Sequence, residues 1–187
     1  MIHPQQNALL QVDVKELKGK PGAQETLSRT VPAPADFATV LVGIPEASDL
    51  NVDLRLESVH EGVLLSGTAS GEVAGECGRC LDPLSYPLTV DVMQLFVWED
   101  EGEDDDDTRA VSEDLSVDLE PVLRDLMVST LPFQPVCREG CLGLCSQCGF
   151  RIEDDPQHAH EQLDPRWAAL SGLAAELEDA DDEDHAR

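Results

Sequence analysis

The stretch C-R-E-G-C-L-G-L-C-S-Q-C, from Cys137 to Cys148, contains four of the six cysteines in the chain. The other two, Cys77 and Cys80, lie earlier in a C-G-R-C motif, and His158 and His160 follow later as H-A-H. Thiolates and imidazoles are the ligands that zinc prefers in proteins. We therefore interpret most of the remaining chain as the scaffold that brings these three clusters together.

The pairing of the cysteines favours metal binding. A C-x-x-C pair presents two thiolates from one turn, and two such pairs with an intervening C-x-x-x-C and a trailing H-x-H can complete tetrahedral sites. A redox-active dithiol and inert free thiols remain as alternatives. Dithiol chemistry is disfavoured because neither pair lies at a strand-to-helix junction of a βαβ pattern, and because acidic surroundings raise thiol pKa values.

Eight ligands suit two structural zinc ions. The preferred partition gives one set of Cys77, Cys80, Cys137 and Cys141, and a second set of Cys145, Cys148, His158 and His160. The alternative is a single ion held by Cys77, Cys80, Cys145 and Cys148, with the other four residues as bystanders. Either partition fills a tetrahedron with protein ligands and leaves no position for water, which argues against catalytic zinc.

Hydrophobic residues alternate with polar ones through much of residues 37–98, which predicts β-strands. The alternation is clearest over residues 50–57, and further strands are predicted from Val63 towards Val73 and over residues 88–98. Consecutive strands with short connections pair antiparallel. The C-G-R-C motif at 77–80 is then expected at the end of a hairpin.

Residues 118–130 have the period of a helix. Its apolar stripe consists of Leu119, Val122, Leu123, Leu126 and Met127. Asp118 is predicted as the N-cap, with Pro121 in the first turn. A second helix is predicted over residues 165–177, with Asp164 as its N-cap.

The fold class expected from these patterns is α+β: an antiparallel β-sheet with one or two helices, a C-terminal zinc-knuckle-like Cys/His segment, and a disordered acidic loop and tail. We expect a single domain with five regions. These are an extended N-terminal segment (1–36), the sheet with its C-x-x-C knuckle (37–98), an acidic loop (99–114), the helix with the Cys/His metal-binding segment and C-terminal helix (115–177), and an acidic tail (178–187).

The chain is strongly acidic, with a formal charge of −27 from 39 acidic and 12 basic residues. Eight of the nine residues 99–107 and seven of the nine residues 176–184 are acidic, but the remainder is acidic too. Such a protein repels RNA, DNA and anionic membranes at long range and attracts basic proteins. The arginines near the cysteines either pair with neighbouring acids or form a small basic patch: Arg79, Arg124, Arg138, Arg151 and Arg166.

The sequence contains no pattern of a secreted or membrane protein. Residues 1–12 do not have a basic start followed by an apolar core, and apolar runs such as Thr39–Ile44 are too short to cross a bilayer. We therefore expect a cytoplasmic protein, in which clustered cysteines are metal ligands rather than disulfides. No phosphate-binding-loop or G-x-S-x-G motif occurs, so no catalytic residue is predicted.

Two motifs resemble a known family. They are E-C-G-R-C-L-D-P-L at residues 76–84 and L-P-F-Q-P-V-C-R-E-G-C-L-G-L-C-S-Q-C-G at residues 131–149. Together they resemble the YceD-like family, the large ribosomal RNA subunit accumulation proteins, formerly a domain of unknown function. K-E-L-K-G-K-P-G at 15–22, L-S-R-T-V-P-A-P at 27–34 and D-P-R-W-A-A-L at 164–170 are similar to its actinobacterial branch. Many relatives carry C-x-C where this chain has His158-Ala159-His160.

The resemblance implies a non-enzymatic ribosome biogenesis factor that supports synthesis, processing or stability of 23S ribosomal RNA. The expected partner is a precursor of the large subunit or a basic ribosomal protein, with RNA contacted indirectly. A small-molecule substrate and a membrane are not expected. A dithiol redox protein and a zinc-ribbon regulator that binds DNA remain as alternatives, and the charge of −27 disfavours the second.

Overall fold

A computed structural model of the chain describes residues 7–98 and 109–160. The chain divides into two compact units, one ending at Cys141 and one beginning at Leu142. Residues 99–108 of the predicted acidic loop, the predicted helix over 165–177 and the predicted acidic tail lie outside the described residues.

The first unit contains β-strands and helices in an α+β arrangement, as predicted. In chain order they are α1 (Asn7–Leu10), β1 (Gln11–Asp13), β2 (Gln24–Pro32), β3 (Val42–Gly43), β4 (Asp49–Ser58), β5 (Gly62–Glu76), β6 (Pro83–Val97), β7 (Arg109–Ala110), β8 (Ser116–Asp118) and α2 (Glu120–Thr130). The main sheet has the order β2-β4-β5-β6-β7, and β3 pairs with one end of β5. A separate two-stranded sheet joins β1 to β8.

The pairing in the main sheet is antiparallel, as predicted, except at β7. This two-residue strand runs parallel to the end of β6, where Phe96 aligns with Arg109 and Val97 with Ala110. A strand of two residues is too short to show a hydrophobic period, so the sequence pattern does not predict β7 and assigns Arg109 and Ala110 to the acidic loop.

One face of the sheet builds the hydrophobic core. Leu50, Val52, Leu54 and Leu56 of β4 are all buried, whereas Asn51 and the other polar residues between them lie mainly on the opposite, wetter face. Since successive side chains of a strand point to opposite faces, this alternation fixes which face of β4 is buried. The sequence prediction for this strand is confirmed.

Strand β2 pairs with β4 along its full length, from Gln24↔Glu57 to Pro32↔Asp49. The sequence predicts an extended N-terminal segment over residues 1–36 but not this pairing. Only Val31 of β2 is fully buried, because the strand lies at the edge of the sheet. A strand with one buried residue has no hydrophobic alternation to detect.

Strands β5 and β6 form a long hairpin whose last pair is Glu76↔Pro83. The C-G-R-C motif therefore lies at the end of this hairpin, as predicted. Strand β6 begins at Pro83, five residues before the predicted start at Leu88. Pro83 and Pro87 interrupt the apolar alternation in that part of the strand, which explains the late predicted start.

Helix α2 covers most of the predicted range, but its predicted N-cap is wrong. Leu119 is the N-cap residue, while Asp118 is the last residue of β8 and aligns with Gln11 of β1. Pairing with β1 holds Asp118 in the strand, although its Oδ1 still accepts a hydrogen bond of 3.0 Å from the backbone N–H of Glu120. The predicted apolar stripe is confirmed, since four of its members are buried and Leu126 packs against the core.

The assignment of sheet faces predicts how substitutions in neighbouring strands will differ. Leu65→Ala removes a fully buried side chain from β5 and should lower the free energy of unfolding by about 2–5 kcal/mol. Met93→Ala, on β6, is the control because its side chain is 77% exposed, and it should change stability by less than about 0.5 kcal/mol. Urea denaturation measures both, and equal losses would contradict the assigned faces.

Candidate metal centres

Four cysteines of the first unit form a group that we call the four-cysteine cluster: Cys77, Cys80, Cys137 and Cys141. Their sulfur atoms all lie within 4.8 Å of one another. The first two come from the connection between β5 and β6, and the other two from the segment that follows α2. The hairpin end and this segment therefore meet at the four sulfurs.

The sulfur separations match a tetrahedral zinc site. Sγ of Cys77 lies 3.9 Å from Sγ of Cys141, and Sγ of Cys80 lies 3.6 Å from Sγ of Cys137. A disulfide requires about 2.05 Å, so these thiols are free. Zinc bound at about 2.3 Å from each sulfur places the sulfurs about 3.8 Å apart. The cluster is thus already close to the dimensions of a zinc–tetrathiolate.

Backbone hydrogen bonds shape the hairpin end into a knuckle. The N–H of Cys77 donates to the carbonyl of Asp82 at 2.8 Å, and the N–H of Leu81 donates to the carbonyl of Cys77 at 3.0 Å. Leu81 has a φ of 63°, in the left-handed region. That conformation costs a non-glycine residue about 1–2 kcal/mol. The tight turn places both sulfurs of the motif on one side.

Two further hydrogen bonds join the knuckle to the segment after α2. The N–H of Gly78 donates to the carbonyl of Pro135 at 2.7 Å, and Nη1 of Arg79 donates to the carbonyl of Cys141 at 3.0 Å. These bonds involve backbone groups on at least one side, so they fix the path of the chain. Both halves of the ligand set are therefore positioned by the protein itself.

The electrostatics of the cluster favour a cation. Burial raises the pKa of Cys77, but backbone N–H donors, among them that of Arg79, outweigh burial and lower the pKa to about 6. A backbone hydrogen bond from Asp82 lowers the pKa of Cys80, but burial and the neighbouring thiols raise it to about 12. Thiols this close cannot all ionise alone, whereas a divalent cation lets all of them do so.

The second unit contains a group that we call the Cys/His cluster: Cys145, Cys148, His158 and His160. Its ligand atoms also lie within 4.8 Å of one another. Sγ of Cys148 lies 3.3 Å from Nε2 of His158 and 3.2 Å from Nε2 of His160, and the two Nε2 atoms are 2.9 Å apart. Each of the two imidazoles thus directs its Nε2 atom towards Sγ of Cys148.

A tight turn holds the two cysteines of this cluster. The N–H of Cys145 donates to the carbonyl of Phe150, and the N–H of Gly149 donates to the carbonyl of Cys145, both at 2.8 Å. Gly149 has a φ of 71°, which a glycine adopts without strain. Backbone hydrogen bonds from Gln147 and Cys148 lower the pKa of Cys145 to about 6. The pKa of this cysteine is therefore lowered by backbone donors, against the raised value expected from the acidic surroundings.

The histidine side of this cluster is positioned by contacts in a more exposed part of the chain. The ring of Phe150 stacks on that of His158, with centroids 4.5 Å apart and an interplanar angle of 27°. The N–H of His158 donates to the carbonyl of Asp155 at 3.0 Å. In the four-cysteine cluster Cys77, Cys80 and Cys141 are almost fully buried and only Cys137 is exposed. In the Cys/His cluster no ligand is buried, and Cys148 and His160 are exposed. The Cys/His cluster is thus the more accessible of the two to solvent.

The structure brings all eight predicted ligands together, in the two sets of the preferred partition. Metal ligation at these residues stays a prediction. Sequence reasoning missed the groups that position the ligands, such as the carbonyl of Pro135, the left-handed Leu81 and the ring of Phe150. Backbone carbonyls carry no side-chain signal, so only the prolines and glycines nearby indicate that the chain turns there.

The arginines behave as charge and hydrogen-bond partners rather than as a free basic patch. Arg124 forms an ion pair with Glu120 and lies over the ring of Phe37. Arg79 donates to the carbonyl of Cys141, and neither Arg138 nor Arg151 is without a partner. Arg166 lies outside the described residues.

Comparison with known proteins identifies the family. The model of the family described as "Large ribosomal RNA subunit accumulation protein YceD" matches residues 65–174, which include both clusters. The chain belongs to the YceD family. In the part of the chain that the structure describes, no helix is long and apolar enough to span a membrane.

Several curated relatives also match. An uncharacterised protein of Mycobacterium tuberculosis is 43% identical over 164 residues, which is 85% of this chain and 78% of the relative. An uncharacterised protein of Mycobacterium leprae is 37% identical over 87% of this chain and 76% of its own length. The protein YlbN of Bacillus subtilis is 29% identical over 70% of this chain and 77% of its own length. No solved structure matches the chain.

The separate ligand sets predict that serine substitutions will have different consequences. Cys77→Ser should remove one zinc equivalent and lower the free energy of unfolding by about 3 kcal/mol or more, because it leaves a buried site incomplete. Cys148→Ser should also remove one equivalent but leave the unfolding of the sheet unchanged. Metal analysis and thermal denaturation measure both effects. Equal global unfolding from both substitutions would instead support the single shared ion.

The different exposure of the clusters predicts that a chelator will remove zinc in two steps. The Cys/His cluster should release its ion first, since Cys148 and His160 are exposed, and the four-cysteine cluster much later. A colorimetric zinc indicator and a thiol reagent measure the two phases, and Cys148→Ser should lack the fast one. If the thiols of the untreated protein react freely and little zinc is bound, dithiol chemistry becomes the better interpretation.

Proposed function

We propose that this YceD-family protein is a zinc-binding, non-enzymatic factor in assembly of the large ribosomal subunit. It supports synthesis, processing or stability of 23S ribosomal RNA by binding a precursor particle or a basic ribosomal protein. It acts in the cytoplasm, where ribosomes assemble.

The observation that carries the proposal is the family match over residues 65–174. The description of that family names accumulation of large-subunit ribosomal RNA and names no reaction. The matched region includes all eight candidate ligands, so the candidate metal sites lie within the part of the chain that defines the family.

The donor sets fit structural zinc. Each cluster offers four thiolate or imidazole ligands, which is the full complement of a closed tetrahedral site. Bound zinc supplies a cross-link between chain segments and has no remaining position for a substrate. Cys77 and Cys80 would anchor the hairpin end to Cys137 and Cys141, while the second ion would hold residues 145–160 in a single fold.

The charge of the chain favours a basic protein as the direct partner. With 39 acidic and 12 basic residues, the protein attracts basic ribosomal proteins and repels bare ribosomal RNA. Acidic side chains can occupy the basic surface that such a protein later offers to RNA. RNA is then reached through the bound protein or the precursor particle.

Depletion of the protein should reduce the amount of large subunits and of 23S ribosomal RNA relative to small subunits. Sucrose-gradient profiles and quantification of both ribosomal RNAs measure this effect. Re-expression of the wild-type chain should restore the profile, whereas Cys77→Ser, which is expected to lose the metal site of the four-cysteine cluster, should not. A normal large-subunit profile in depleted cells would refute the proposed function.

A further inference from the structure

Exposed apolar side chains concentrate around the four-cysteine cluster. Among the described residues of the first unit, six large hydrophobic side chains are exposed. Four of them lie in three segments next to the cluster, and we call these four the apolar rim: Val40, Leu81, Phe133 and Val136. Val40 and Phe133 are almost completely exposed, at 101% and 94%. Scattered exposed apolar residues need no explanation, but a concentration of them marks an interaction surface.

The three segments that carry the rim converge at Gly78. The N–H of Glu76 donates to the carbonyl of Leu41 at 3.1 Å, next to Val40 in the chain. The N–H of Gly78 donates to the carbonyl of Pro135, between Phe133 and the cluster. A Cβ atom at Gly78 would lie 3.4 Å from both Leu41 Cδ1 and the Pro135 carbonyl oxygen. The loop, the knuckle and the segment after α2 are therefore packed together.

Leu81 is the most informative member of the rim. It is 57% exposed and has a φ of 63°, a conformation that suits glycine or asparagine better than leucine. Three other described non-glycine residues are left-handed: Asp36, a residue type that tolerates this conformation, Ala47, which exposes only a methyl group, and Leu115, whose side chain packs against the core. Leu81 has no comparable burial, so the isolated fold gives no reason for leucine there. Strain at an exposed residue is a sign of a functional constraint.

The charges around the rim select the class of partner. Glu76 and Glu139 are exposed and lie next to ligands of the cluster in the chain, and a zinc ion with four thiolates is itself net negative. Arg138 is also exposed there, but it already has an interaction partner. Arg79 has its guanidinium engaged with the carbonyl of Cys141. These surroundings disfavour RNA, and the charge of −27 on each copy disfavours self-association.

We propose that the apolar rim is the docking surface for a basic protein of the large ribosomal subunit. An apolar side chain of that protein packs against Leu81 and Phe133, and its flanking lysines or arginines face Glu76 and Glu139. The four-cysteine cluster joins the knuckle to the segment after α2, and the hydrogen bond from Glu76 to Leu41 adds the loop of Val40, so that the partner meets a rigid surface. This inference rests on the proposed function and specifies the surface that performs it.

The test uses the full zinc-loaded chain and the protein fraction extracted from purified large subunits of the same organism. Leu81→Asn and Phe133→Ser should weaken retention of one identified basic protein by about tenfold or more, as expected for central apolar contacts. Both changes leave the net charge unaltered, so purely electrostatic adsorption would not respond to them. Met93→Gln is the matched control, since it removes a well-exposed apolar side chain from β6, away from the hairpin end where that strand begins at Pro83.

Two further measurements distinguish an effect of Leu81→Asn on folding from an effect on binding. Leu81→Asn should melt at or above the temperature of the wild type, because asparagine accepts the left-handed conformation, and it should retain both zinc equivalents. In depleted cells it should fail to restore the large-subunit profile, whereas Met93→Gln should restore it. Full binding and full rescue by Leu81→Asn would overturn the docking surface while leaving the proposed function intact. Selective loss of binding to ribosomal RNA, rather than to protein, would also overturn it.

Discussion

The candidate site depends on one constraint, the convergence of the hairpin end and the segment after α2 at four sulfur atoms. Cys77 and Cys141 are 64 residues apart in sequence, yet their sulfurs lie 3.9 Å from each other. The hydrogen bond from Gly78 to Pro135 holds the two backbones together at the same place. Because a metal binds the folded arrangement and not the extended chain, its binding free energy becomes folding free energy.

The two clusters are under different physical demands. The sheet already has a large apolar core, so an ion at the four-cysteine cluster would add rigidity to an end of a structure that buries Leu50, Val63 and many others. In residues 142–160, by contrast, no apolar side chain is buried. A segment this short cannot offset its loss of conformational entropy without a cross-link. We therefore expect residues 142–160 to require a metal for their fold, whereas the sheet would only be reinforced by one.

The sequence patterns predict those parts of the fold where side chains carry the signal. The alternation over Leu50–Leu56 locates β4 and its buried face, and the cysteine and histidine clusters point to the two groups of side chains that the fold places together. The pairing of β2 with β4 escapes detection because an edge strand buries almost nothing, and Asp118 is misassigned because pairing with β1 is a long-range effect. The left-handed turn at Leu81 could not be predicted either, because leucine rarely adopts that conformation.

Charge and apolar contacts have complementary roles in the proposed recognition. A strongly acidic protein attracts any basic ribosomal protein, and this attraction raises the rate of encounter without selecting one partner. Selection requires contacts that depend on shape, and buried apolar contacts provide them only if the surface is held in one conformation. The rim of Val40, Leu81, Phe133 and Val136 comes from three separate segments, which would move independently without the hydrogen bonds and sulfurs that join them. On the proposed function, a metal bound at that junction would be what lets a small, acidic assembly factor select one among many basic proteins.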